Sequence, residues 1–108
     1  MDKKPIIREH LPGGSVASAL RGLYYDVAEI VSPAPLKCLM ETTDADHILF
    51  GSDFPFSRHK NPAQDVRDMI VGFDAFDGWD ASARRDIEYN NAAKLFPRLA
   101  RTIEANEP

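Results

Sequence analysis

Short apolar runs that alternate with helical patterns predict an α/β fold, with parallel strands joined by right-handed crossovers and helices covering the sheet. Three observations carry that prediction. Ile48-Leu49-Phe50 is a clear buried strand, Leu23-Tyr24-Tyr25-Asp26-Val27 has the aromatic and β-branched content of another, and Val66, Met69, Ile70 and Phe73 repeat at helical spacing.

The elements follow in order. Pro5-Ile6-Ile7-Arg8 reads as the first strand, and after the Gly13-Gly14 break Ser15 caps a short helix with Val16, Ala19 and Leu20 on one face. The Leu23–Val27 strand comes next. Ser32-Pro33 opens a second helix that turns Leu36, Leu39 and Met40 to one side. Ile48–Phe50 follows, and beyond it Asn61-Pro62 reads as N-cap and first helical residue of a longer amphipathic helix, weakened near its end by Gly72. A loop at Asp77-Gly78-Trp79 leads to Asp80, the N-cap of a last helix that runs to Leu95-Phe96, where Pro97 stops it. Trp79 is its packing anchor. The order is β-α-β-α-β-α-α, and the absence of repeats or long linkers makes residues 1–108 one unit.

Composition excludes several functions. With 44% hydrophobic residues the chain is globular, and it has no run of about 18 apolar residues to cross a membrane and no export signal near its start. The expectation is a cytoplasmic protein. A net charge of −4 argues against a nucleic-acid partner, and Arg84-Arg85 reads as a solvated helix face. The single cysteine, Cys38, has no metal-ligand neighbours and reads as a small core residue. Gly13-Gly14 before a helix offers an anion site, but it lacks both Walker and dinucleotide spacing.

Parallel α/β folds gather their chemistry at the carboxyl ends of the strands. Asp53 lies just past Ile48–Phe50 and Asp26 ends the preceding strand, so both emerge on one face, and His10, after the first strand, joins them there. A carboxylate so placed ligates a metal or acts as a general base; the same position also suits a turn former or helix cap. His59, after Ser57-Arg58, faces substrate or solvent, whereas His47 precedes its strand and belongs to the opposite, structural end. Asn90-Asn91 is unusual inside a helix and implies a polar contact to a loop.

The motif Ile48-Leu49-Phe50-Gly51-Ser52-Asp53-Phe54-Pro55-Phe56, with Leu23-Tyr24-Tyr25-Asp26-Val27-Ala28 before it and Asn91-Ala92-Ala93-Lys94-Leu95-Phe96 after it, resembles the C-terminal part of the amidohydrolase-related family over roughly residues 6 to 98. That family includes metal-dependent (β/α)8 TIM-barrel hydrolases and decarboxylases similar to aminocarboxymuconate-semialdehyde decarboxylase. The resemblance implies the last three β/α units of a barrel. It makes Asp53 the metal-ligating or catalytic carboxylate of the eighth strand, Asp26 a supporting residue of the seventh, and His10 the counterpart of a catalytic histidine at the end of the sixth.

The family's His-x-His on the first strand and metal-binding His of the fifth have no counterpart here, so the ligand set for a divalent metal, zinc by family habit, is incomplete. Two expectations follow. One is a C-terminal segment of a hydrolase or decarboxylase acting on a small carboxylated substrate, incompetent alone, with Arg58 and His59 near the substrate. The other is a non-catalytic α/β interaction or assembly module. In both, the uncovered strand edges and sheet face favour a homo-oligomer or association with another chain.

Overall fold

Side-chain caps set several of the helix starts in this chain. The computed structural model, which describes residues 10–56 and 60–106, places three of them where the sequence does. The Ser15 hydroxyl accepts from the Ser18 amide at 3.0 Å, the Asn61 carboxamide oxygen from Gln64 at 3.1 Å, and the Asp80 carboxylate from Ala83 at 2.8 Å. Each satisfies an amide that the first helical turn leaves without a partner.

The order after the 3-10 turn Pro12–Gly14 is α1 (Val16–Arg21), β1 (Tyr25–Asp26), α2 (Pro33–Thr42), a 3-10 turn (Ala45–His47), β2 (Ile48–Leu49), α3 (Pro62–Ala75), α4 (Ala81–Arg85), a π-helical turn (Asp86–Asn90), α5 (Asn91–Leu95) and α6 (Pro97–Asn106). The strand read at Pro5–Arg8 lies outside the described residues. β1 and β2 are parallel, with Tyr25 opposite Ile48 and Asp26 opposite Leu49, so the α/β reading holds, with a two-stranded sheet among the described residues.

Both strands are shorter than their apolar runs, for identifiable reasons. Leu23 and Tyr24 are half exposed. The Leu23 carbonyl meets His47 Nδ1 at 3.1 Å, and the Tyr24 ring stacks on the His47 ring at 4.3 Å. The start of the run is thus tied to the turn before β2 by side chains rather than by a ladder. Those contacts place His47 at the amino ends of the strands, the structural end. The Tyr25 hydroxyl donates to the Leu20 carbonyl at 2.7 Å and closes the end of α1.

The core consists of Val27, Leu36, Leu39, Ile48, Met69, Phe73, Phe76, Trp79 and Ile87. Trp79 packs edge-on against Phe76 with ring centres 5.2 Å apart and lies 6.1 Å from Phe73, the anchor role read from the sequence. Helix α3 buries Met69 and Phe73, while Ile70 remains 45% exposed. Gly72 decides this orientation: a Cβ there would stand 2.5 Å from the Val31 carbonyl oxygen. The glycine that lowers helix propensity is what lets α3 lie directly on the loop after β1.

Three other readings change. Cys38 is exposed on α2 rather than in the core. Arg84 is not simply solvated: it pairs with Asp74 at 2.8 Å, donates to the Asp74 and Phe76 carbonyls at 3.2 Å, and lies over the Phe73 ring at 5.0 Å. Pro97 does end one helix, since the residue before a proline is pushed out of the helical region and Phe96 has φ −126° and ψ 89°. It then opens α6, which the sequence reading did not foresee. Among the described residues no helix is long and apolar enough to cross a membrane.

Candidate functional site

The parallel register that sets Asp26 beside Leu49 brings the carboxyl ends of both strands to one side. Gly51 follows there. A Cβ at this residue would approach Asp26 Cβ to 3.2 Å and Cγ to 3.3 Å. Glycine therefore lets the loop after β2 run against the Asp26 side chain. The Asp26 carboxylate accepts from the Ala28 amide at 2.9 Å, an Asx turn that steers the chain out of β1. That oxygen is committed to shaping the loop.

Asp53 lies at the tip of the second loop. Its φ of 60° is in the left-handed region, which aspartate tolerates better than most residues that carry a Cβ. Its carbonyl accepts from Phe56 at 2.8 Å across the Phe54-Pro55 turn, and the Ser52 hydroxyl accepts from the Phe54 amide at 3.2 Å. These bonds hold the turn. Asp53 is exposed, and no hydrogen bond from a described residue reaches its carboxylate. Phe54 and Phe56 are 62% and 70% exposed. The loop presents an ionisable group bracketed in sequence by two uncovered aromatic rings.

The other expected members do not complete a cluster. His10 is exposed, in the turn before Pro12–Gly14, with no described hydrogen bond to Asp26 or Asp53. Arg58 and His59 lie outside the described residues. Among the described residues, no three His, Cys, Asp or Glu side chains converge as a metal-binding group. The donors present do not by themselves fit zinc, which requires at least three protein ligands. The cleft of about 380 Å³ between α2 and α3, lined by Val31, Lys37, Gly72 and Phe76, includes neither Asp26 nor Asp53.

What holds the end of β2 comes from the helices. In the π-helical turn the Asn91 amide donates to Asp86 O, five residues back. In an α-helix it would have reached Ile87. The Ile87 carbonyl is thus released, and it accepts from the Phe50 amide at 3.0 Å. Asn91 is 1% exposed, and its carboxamide nitrogen donates to Ile48 O at 2.8 Å and Ala45 O at 2.7 Å. The loop contact expected of Asn90-Asn91 is this one, and the adjacent asparagines were its signal. The released Ile87 carbonyl left no trace in the sequence.

Comparison with known proteins bears on the family of the chain. A 6-methylsalicylic acid decarboxylase of Penicillium expansum is 34% identical over 87 residues, covering 78% of this chain and 24% of its own length. A 6-methylsalicylic acid decarboxylase of Aspergillus aculeatus is 40% identical over 88 residues, 77% of this chain and 24% of its own length. The chain therefore spans about a quarter of the length of these curated relatives. No solved structure matches it. The amidohydrolase family model matches residues 8–98, taking in Asp26, the Gly51-Ser52-Asp53 loop and the buried Asn91. The chain belongs to the amidohydrolase family.

Proposed function

We propose that this chain supplies the last β/α units of a (β/α)8 barrel to a metal-dependent decarboxylase acting on a small carboxylated substrate. The observation that carries the reading is Asp53, placed by its own loop at the carboxyl end of a parallel strand, with no described partner for its carboxylate. The decarboxylase names of the relatives favour loss of CO2 over C–N hydrolysis. Asp53 serves as a metal ligand or as a general base, the two uses of an ionised oxygen at that place. Asp26 supports the loop. His10 lies upstream as a second donor, and Arg58 and His59 are candidate contacts to the substrate carboxylate.

One donor does not make a site, so association completes it. Phe54 and Phe56, 62% and 70% exposed on either side of Asp53 in sequence, offer apolar surface for that contact. The partner is a second copy, or a chain bearing the remaining strands.

A second reading, a non-catalytic assembly module, is favoured by one observation: no three metal donors converge among the described residues. Metal content measured by plasma mass spectrometry, alongside light scattering, separates the two for the wild type and Asp53→Ala. The catalytic reading predicts stoichiometric divalent metal in the associated species and its loss in the variant. A folded wild type that holds no metal either self-associated or with a chain bearing the remaining strands would favour the module instead.

A further inference from the structure

The fastening of β2 has a further consequence for Asp53. Leu49 O bonds Val27 N at 3.1 Å, so Leu49 directs its peptide groups towards β1. Its neighbours Ile48 and Phe50 direct theirs to the opposite edge, as alternation along a strand requires. On that edge a further strand would offer one donor and one acceptor. The helical segment offers the same pair: the Asn91 carboxamide donates to Ile48 O at 2.8 Å, and Ile87 O accepts from Phe50 N at 3.0 Å. The π-helical turn and Asn91 act as a surrogate strand, and the edge expected to be open is occupied at these two positions.

We infer that Asn91 is a positioning residue for Asp53. Phe50, the last residue held by this arrangement, is three residues from Asp53, and Gly51 between them already rests against Asp26. With one end of the loop fixed on both edges of β2 and the other closed by the bond from Phe56 N to Asp53 O at 2.8 Å, the backbone that carries the carboxylate is held in one conformation. Without Asn91 the outer edge of β2 loses its bond at Ile48. The Ala45 turn that feeds the strand loses its own bond, at 2.7 Å. The functional weight of Asp53 rests on the preceding section; the geometry tested here does not.

The experiment is solution NMR on the wild-type chain, Asn91→Ala and Asn91→Leu. Leucine has the branched heavy-atom skeleton of asparagine in a somewhat larger side chain and lacks its donors, so with alanine it separates hydrogen bonding from the loss of packing. In both variants the Phe50 amide should exchange roughly tenfold faster or more, and the coupling that reports the backbone angle of Asp53 should move towards a conformational average. Amides of Leu36 and Phe73 in the core should keep their protection. Wild-type exchange at Phe50 and an unchanged Asp53 angle in Asn91→Leu would overturn the inference, leaving Asn91 a space-filling residue. Should neither variant fold, scalar couplings across the two bonds in the wild type decide: their presence supports the surrogate strand and their absence overturns it. These readouts do not depend on whether Asp53 is catalytic, so an inactive chain with the predicted couplings would sink only the function proposed above.

Discussion

Replacing Gly72 by alanine should destabilise the protein, although alanine is the better helix former. A Cβ at residue 72 would lie 2.5 Å from the Val31 carbonyl oxygen, 0.9 Å short of the 3.4 Å where ordinary contact begins, and also 3.2 Å from Val31 Cγ2. The oxygen belongs to the backbone and cannot rotate aside. Helix propensity favours alanine by about 0.8–1.0 kcal/mol, and overpacking against a fixed neighbour costs about 1–3 kcal/mol. An approach of 2.5 Å to a backbone atom puts the cost at the upper end of that range, so the net expectation is a loss of about 2 kcal/mol, with a fall in Tm of about 4 °C per kcal/mol for a domain of this size. Gly22 is the control. It has φ −81° and ψ −9°, and an added Cβ would meet nothing closer than 3.7 Å. Alanine there should stabilise by about 0.4–1 kcal/mol through the unfolded state. Urea unfolding followed by the fluorescence of Trp79, which packs beside Phe76, reads both variants. A Gly72→Ala protein as stable as the wild type would refute the close approach of α3 to the Val31 loop.

Arg84→Ala should cost about 1–2 kcal/mol, because it removes bonds to two carbonyls, an ion pair and a cation–π contact from a side chain only 22% exposed. Arg84→Lys should recover less than half of that in the same unfolding assay, since a lysine cannot reproduce the forked donors. Asp80→Ala should cost about 1 kcal/mol by removing the cap on Ala83 N, and Asp80→Asn should restore most of it. Cys38 should react fully with a thiol reagent in the folded protein, because it is exposed on α2; labelling limited by global unfolding would contradict its placement.

How much of this was legible in the sequence depends on the range of the interactions. Caps act over three residues, so Ser15, Asn61 and Asp80 could be read directly. The α/β order was legible because each run has its own period, and the family motif pointed to Asp53. Strand lengths were not legible. Phe50 looks like strand, but its amide meets a carbonyl 37 residues away, released by a π-helical turn that no local pattern announces. Ile70 fits the i, i+3, i+4 stripe of its helix, yet a contact between Gly72 and a loop some 40 residues earlier turns it outwards. Cys38 and Arg84 were misread for the same reason, since burial and ion pairing depend on where distant elements come to rest. The convergence of His10 with Asp26 and Asp53 assumed strand ends that gather at one point, and the described structure brings only Asp26 and the Gly51 loop into contact.

The central claim is that Asp53 is a reacting carboxylate once association completes the site. Its most direct test is CO2 release from a panel of small carboxylic acids, with 6-methylsalicylate included because the relatives are named for it, by the associated fraction of the wild-type chain and of Asp53→Asn, isolated by size exclusion and matched by circular dichroism. The account predicts turnover in the wild type and a drop of about 10²–10⁴-fold in the variant, the range for losing a positioned acid–base group. Equal turnover in the variant, or none in a folded and associated wild type, would contradict it.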